Sequence, residues 1–156
     1  MNLEEIGKAI GRIPSGLFVL TAHFKGQDSA VLVSWVNQCS FEPPTVSVAL
    51  SGERPACALL ETSRTFILNV LGQSDNILIK RFSKPPKGEP VFEGLSVQRL
   101  DRGIAVLSDA ISYLECELIN QIKVQDHSLY VGKVVGGGLL KGGDPYVHIR
   151  KTGLSY

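Results

Sequence analysis

SYLECELINQIKV (112–124) and HSLYVGKVV (127–135) stand only Gln125-Asp126 apart. Two long runs rich in Tyr, Leu, Ile and Val with a two-residue joint read as antiparallel neighbours, because a parallel pair needs a crossover of a dozen residues or more. Working outward, TFILNVL (65–71), TVSVAL (45–50), SAVLVSWV (29–36) and LFVLTAHF (17–24) also read as strands, the last two joined through Lys25-Gly26-Gln27-Asp28. Three short helices interrupt them. Asn2 and Glu5 have capping-box spacing ahead of a helix running to Ile10, ACALLETS (56–63) is entered at Pro55, and DNILIKRFS (75–83) carries Lys80 and Arg81. KPPKGEPVFEGLS (84–96) reads as loop, GGGLLKGGDP (136–145) as a hairpin loop, and YVHIRK (146–151) as a final strand. Strand and helix alternate too rarely for a doubly wound sheet. The pattern predicts a mainly β chain, a mostly antiparallel barrel with a few short peripheral helices, forming one domain over residues 1–156.

Charge narrows the function. The chain carries 16 basic and 15 acidic residues, well mixed, which points away from nucleic acid or an anionic membrane as the main partner. No apolar run approaches the roughly 20 residues of a membrane helix, and MNLEEIGKAIGRI lacks a signal layout, so the expected location is the cytoplasm. Cys39, Cys57 and Cys116 are an odd number at wide spacing and read as buried, reduced thiols. His23, His127 and His148 lack metal-ligand spacing, and no glycine fingerprint stands between a strand and a helix; no metal site is expected.

What remains unusual is SWVNQCSFEPP (34–44), where an apolar strand turns abruptly into hydroxyl and amide side chains. Uncharged donors and acceptors leaving a strand, with Trp35 as a flat wall, match the hydrogen-bonding edge of a planar heterocycle such as a flavin. They equally suit a strand exit that bonds its own backbone. Residues alone leave both readings open.

The order of several motifs favours the first. GRIPSGLFVLT (11–21), SWVNQCSFEPPTVSVAL (34–50), FILNVL (66–71), KRF (80–82), DAISYLECEL (109–118), DHSLYVGKV (126–134) and VHIRKTGLSY (147–156) together resemble the flavin reductase-like family across nearly the whole chain. The likeness is strongest to the module at the C-terminal end of cyanobacterial flavodiiron (diflavin) proteins. That resemblance implies an FMN-binding split β-barrel, Greek-key-like, working as a homodimer. It implies an NAD(P)H-dependent flavin reductase with FMN as cofactor (FAD as the other flavin), or else an FMN-carrying relay serving a flavodiiron-type or other redox protein. By position, Ser34, Trp35, Val36, Asn37, Gln38 and Ser40 line the flavin, and Arg54, Lys80 and Arg81 hold its phosphate. His127, Tyr146, His148 and Tyr156 fall on the nicotinamide side, and no residue is required as a catalytic acid or base. Pro43-Pro44 would keep the polar stretch out of the sheet.

Overall fold

The computed structural model describes residues 1–52, 54–84 and 88–156. Its elements are α1 (Leu3–Gly11), β1 (Phe18–Phe24), β2 (Gln27–Val33), β3 (Val36–Phe41), β4 (Pro44–Ser51), α2 (Pro55–Ser63), β5 (Thr65–Val70), α3 (Asn76–Ser83), β6 (Val97–Arg99), β7 (Ala105–Leu107), β8 (Ser112–Val124) and β9 (His127–Leu139). Residues 85–87 of the expected 84–96 loop lie outside the described residues.

Seven strands form one antiparallel sheet in the order β2-β1-β5-β8-β9-β4-β3, and β6-β7 form a separate ribbon. The sheet curls until its outer parts meet. Val31 and Val33 of β2 pack in the same cluster as Val46 and Val48 of β4, with Leu20, Leu60, Phe66, Leu68 and Tyr130 filling the middle. No ladder closes β2 onto β3, so this is a split barrel. β5 sits at its centre and is buried along almost its entire length, as its apolar run TFILNV requires. The buried Asn69 is satisfied from its own side chain: its amide donates to the Val19 carbonyl (3.0 Å) and its oxygen accepts from the Leu107 N–H (2.8 Å). That one residue ties β1, β5 and β7 together. At the chain's start the Asn2 side chain accepts from the Glu5 N–H, the cap that the spacing predicts.

Five local expectations are corrected. The strand expected over 29–36 breaks after Val33, and Ser34-Trp35 form a two-residue link into β3. The stretch after it does not leave the sheet. Val36 to Phe41 pair with β4, Val36 against Val48 and Phe41 against Pro44, with a register shift around Cys39. Pro44 is tolerated because it is the first residue of β4, one place before the ladder with β9 begins at Thr45. Gly136 to Leu139 are strand rather than loop, since β8 is long enough to pair with them, Glu115 opposite Gly136 and Ser112 opposite Leu139. A side chain at Gly137 would place its Cβ 2.6 Å from the Tyr113 carbonyl, so the close approach of the two strands needs a glycine there. The final segment forms no strand, only single bridges from Ser15 to His148 and from Gly72 to Pro145. The nearest strands, β1 and β5, already have partners on both sides, leaving only their loop ends to bond. Among the cysteines, Cys57 and Cys116 are buried as expected, whereas Cys39 is exposed because it sits at the irregularity of an edge strand.

Candidate functional site

The break between β2 and β3 opens one wall of a cavity of about 670 Å³. Val31 to Trp35 line one side, Ala49 to Ser51 at the end of β4 line a second, and Ile79, Phe82 and Ser83 of α3 line a third. The tail, residues 146–156, covers the remaining side through Tyr146, His148 to Thr152, Ser155 and Tyr156. It is held there by backbone bonds: the Tyr146 N–H donates to the Leu71 carbonyl (2.9 Å), His148 exchanges two bonds with Ser15, and the Gly153 N–H donates to the Gly7 carbonyl (2.7 Å).

An aromatic group stands at one end. The Trp35 ring centroid lies 4.8 Å from His127 and 5.8 Å from Tyr156, and the Arg150 guanidinium sits 5.0 Å from the Trp35 ring centre. His127 is fixed on both nitrogens. Its Nδ1 faces the Asp126 carboxylate at 2.9 Å and its Nε2 faces the Tyr156 hydroxyl at 2.6 Å. A carboxylate has no proton to give, so Nδ1 carries a hydrogen, and in the neutral ring Nε2 accepts from the tyrosine. That hydrogen bond from His127 holds the Asp126 carboxyl below the ordinary range. Burial pushes the Tyr156 phenol up, opposed by the charges of Arg54 and Arg150, and burial followed by the Arg150 charge lowers His148.

Among the described residues the lining carries Arg54, Arg150 and Lys151 but no aspartate or glutamate. Its other residues are mostly apolar, with Ser34, Ser51, Ser83, Thr152 and Ser155 as neutral hydroxyls. Such a chamber suits a flat aromatic ligand with an anionic end.

Of the residues singled out in the sequence, Ser34, Trp35, Arg54, Tyr146, His148 and Tyr156 line this chamber, and His127 backs it through Trp35 and Tyr156. Val36, Asn37, Gln38 and Ser40 are not in its lining. They lie along β3, where the Gln38 amide donates to the Ser40 carbonyl (3.2 Å). Lys80 is exposed on α3, outside the lining. Arg81 points into a smaller hollow of about 210 Å³, bonding the Pro90 carbonyl (3.2 Å) and pairing with Glu89 (3.5 Å). Sequence reasoning missed Arg150 and Lys151. Their signal was an adjacent pair of cations inside the quoted VHIRKTGLSY motif.

A family model described as the flavin reductase-like domain matches residues 10–153. The chain belongs to the flavin reductase-like family. It is 38% identical to diflavin flavoprotein A 1 of Synechocystis sp. over 98% of its own length, and it spans 27% of that relative. The chain thus covers about a quarter of the length of the curated relatives it matches. Among solved structures, the styrene monooxygenase flavin reductase from Pseudomonas putida S12 superposes with a TM-score of 0.79 at 26% identity, covering 91% of each chain. Nitrilotriacetate monooxygenase component B from Mycobacterium thermoresistibile, at 19% identity, shares the fold with a TM-score of 0.85 over 92% of this chain and 80% of that one. Flavin reductase-like membership and the split barrel agree with the expectation from the motif order. No helix among the described residues is long and apolar enough to cross a membrane.

Proposed function

We propose that the chain binds FMN in the chamber beside Trp35 and works as an NAD(P)H-dependent flavin oxidoreductase. The observation that carries this reading is the largely apolar chamber, its described lining cationic, that opens at the polar break between β2 and β3. Trp35 offers the ring a flat wall, Ser34 and the backbone at the strand break offer neutral hydrogen bonds, and Arg54 offers charge to the phosphate. The residues fit the group, and FAD would place the same ring on the same wall. Bound flavin supplies the two-electron acceptor for a hydride from NAD(P)H and passes the electrons to a further acceptor. The chain's own share is placement and exclusion of water. Tyr146, His148 and Tyr156 form the tail-side wall against which a nicotinamide would lie, and His127, held in one orientation by Asp126, backs it through Tyr156.

The reading includes a homodimer and a cytoplasmic setting. β3 is an open edge, and Phe41 at its end is exposed, as are Ile119, Ile122 and Val124 on the β8–β9 hairpin; a second chain would cover such surface. Val36, Asn37, Gln38 and Ser40 would then meet flavin or partner at that edge, and Lys80 and Arg81 would act on phosphate only from outside the chamber. Light scattering of the purified chain reports the dimer directly.

A second reading rests on the length of the relatives. Because they are almost four times as long, the chain as an FMN-carrying electron relay within a diflavin-type system is the alternative. Rapid mixing of the FMN-loaded protein with NADH and with NADPH separates the two. Fast bleaching of the flavin band supports the reductase, and an inert band with either nucleotide overturns it in favour of the relay.

A further inference from the structure

Arg150 is anchored at both of its ends and committed at neither charge nor donor. Its backbone N–H donates to the Gly11 carbonyl (3.3 Å), and a side chain on Gly11 would collide with the Arg150 carbonyl, its Cβ only 2.6 Å away. Its guanidinium lies against the Trp35 ring, 5.0 Å from the centre. An arginine placed over a ring face still has N–H donors to offer, and here none of them bonds to a described residue. Lys151 follows it into the same lining, which Arg54 shares, and the charges of Arg54, Arg150 and, in the opposite sense, Asp126 all act on Tyr156. Among the described residues no carboxylate pairs with any of the three. By contrast Arg81, the other half-buried arginine on this side of the barrel, already holds Glu89 and the Pro90 carbonyl.

Cations gathered on one lining with no described carboxylate paired to them raise the energy of the empty chamber, and a bound dianion offsets that cost. From this placement we infer that Arg150 and Lys151 of the tail, acting with Arg54, grip the phosphate of the bound flavin, so that the segment which covers the chamber is also the one that recognises the ligand's charged end. The inference rests on flavin binding as proposed above. It adds that phosphate recognition lies on the tail and not on α3. Stacking on Trp35 pre-sets the guanidinium, so little freedom is lost when a phosphate arrives.

FMN and riboflavin share a ring and differ by the phosphate, so the ratio of their dissociation constants isolates the grip. Each is titrated into the full chain by flavin fluorescence quenching, with no nucleotide present. In the unaltered protein FMN should bind more tightly than riboflavin, and its advantage should shrink as salt is raised. In Arg150→Ala the FMN affinity should drop about tenfold or more, with riboflavin changed less than about threefold. Lys151→Ala, an exposed position that leaves the fold undisturbed, should act in the same direction and carries the test if Arg150→Ala does not fold. Arg102→Ala, an exposed cation between β6 and β7 that pairs with Glu117, should leave the ratio as it was. Equal losses for both flavins, an unchanged ratio in both tail variants, or a change confined to the KM for NAD(P)H would overturn the inference while leaving flavin binding in place. An unaltered protein that binds neither flavin would remove the proposed function and this inference together.

Discussion

Two charged regions sit at different parts of the barrel, and they are built in opposite ways. On the β1–β2 hairpin, Asp28 receives two bonds from Arg99 (2.9 and 2.7 Å) and faces His23 Nδ1 at 2.8 Å, while Arg99 also donates to the Gly103 carbonyl. Every charge there has an answer, and the group fastens the β6–β7 ribbon to the barrel. Around the chamber, Arg54, Arg150 and Lys151 converge with no described carboxylate between them. The first region is closed chemistry that holds shape. The second is left open, which is how a protein prepares a place for a charge it does not itself carry.

The largest effect that would test this contrast is expected from Trp35→Ala. It removes the flat wall and the platform under Arg150, so FMN and riboflavin should both weaken, by about tenfold or more. Binding titrations check it; a protein that loses stability but keeps its flavin affinity would place Trp35 with the closed region. His127→Ala should raise the apparent KM for NAD(P)H several-fold while flavin content stays constant, and an unchanged KM in steady-state assays would remove the imidazole from the nucleotide side.

Asp28→Ala probes the other region. It should lower stability by about 1 kcal/mol, a Tm shift of roughly 2–4 °C, and leave flavin affinity untouched. Burial pushes the Asp28 carboxyl up, but hydrogen bonds from Arg99 and His23 outweigh it and hold the group below its ordinary value. A carboxyl depressed in the folded state stabilises fully above about pH 4 and loses that contribution as pH falls through the folded value. Thermal melts from pH 7 down to pH 3 should therefore show the wild type and Asp28→Ala converging at the acid end. Tyr156→Phe should have the smallest effect. It deletes one hydrogen bond at a half-open site, and a roughly twofold to fivefold faster flavin release in stopped-flow displacement is expected.

The barrel was legible because its deciding signal is local. The two-residue joint at Gln125-Asp126 dictates the β8–β9 hairpin, and alternation in TVSVAL or the apolar run in TFILNVL names a strand without knowledge of its neighbours. The chamber was legible only in part. The change from apolar to polar at Ser34 and Trp35 was read as a departure from the sheet, when it is a two-residue step between strands. Asn37, Gln38 and Ser40 look like a cradle in sequence because edge strands and ligand pockets favour the same neutral polar side chains. Arg150 could not be weighed either. Its meaning depends on Trp35, 115 positions earlier, and on having no described carboxylate paired with it, and neither is a property of the tail's own sequence. YVHIRK has the alternation of a strand, yet whether it pairs is decided by whether a free edge is waiting.

The docking of the tail on α1 has one further consequence. Gly153 lies so tightly on Ile10 that no side chain fits between them, and Gly11 meets the backbone of Arg150 just as closely. The depth of one chamber wall is therefore keyed by a helix that contributes nothing to its lining. Trimming the first eleven residues, or enlarging Gly11, would leave the barrel strands intact and still surface as leaky flavin retention, a cofactor defect whose origin sits at the far terminus.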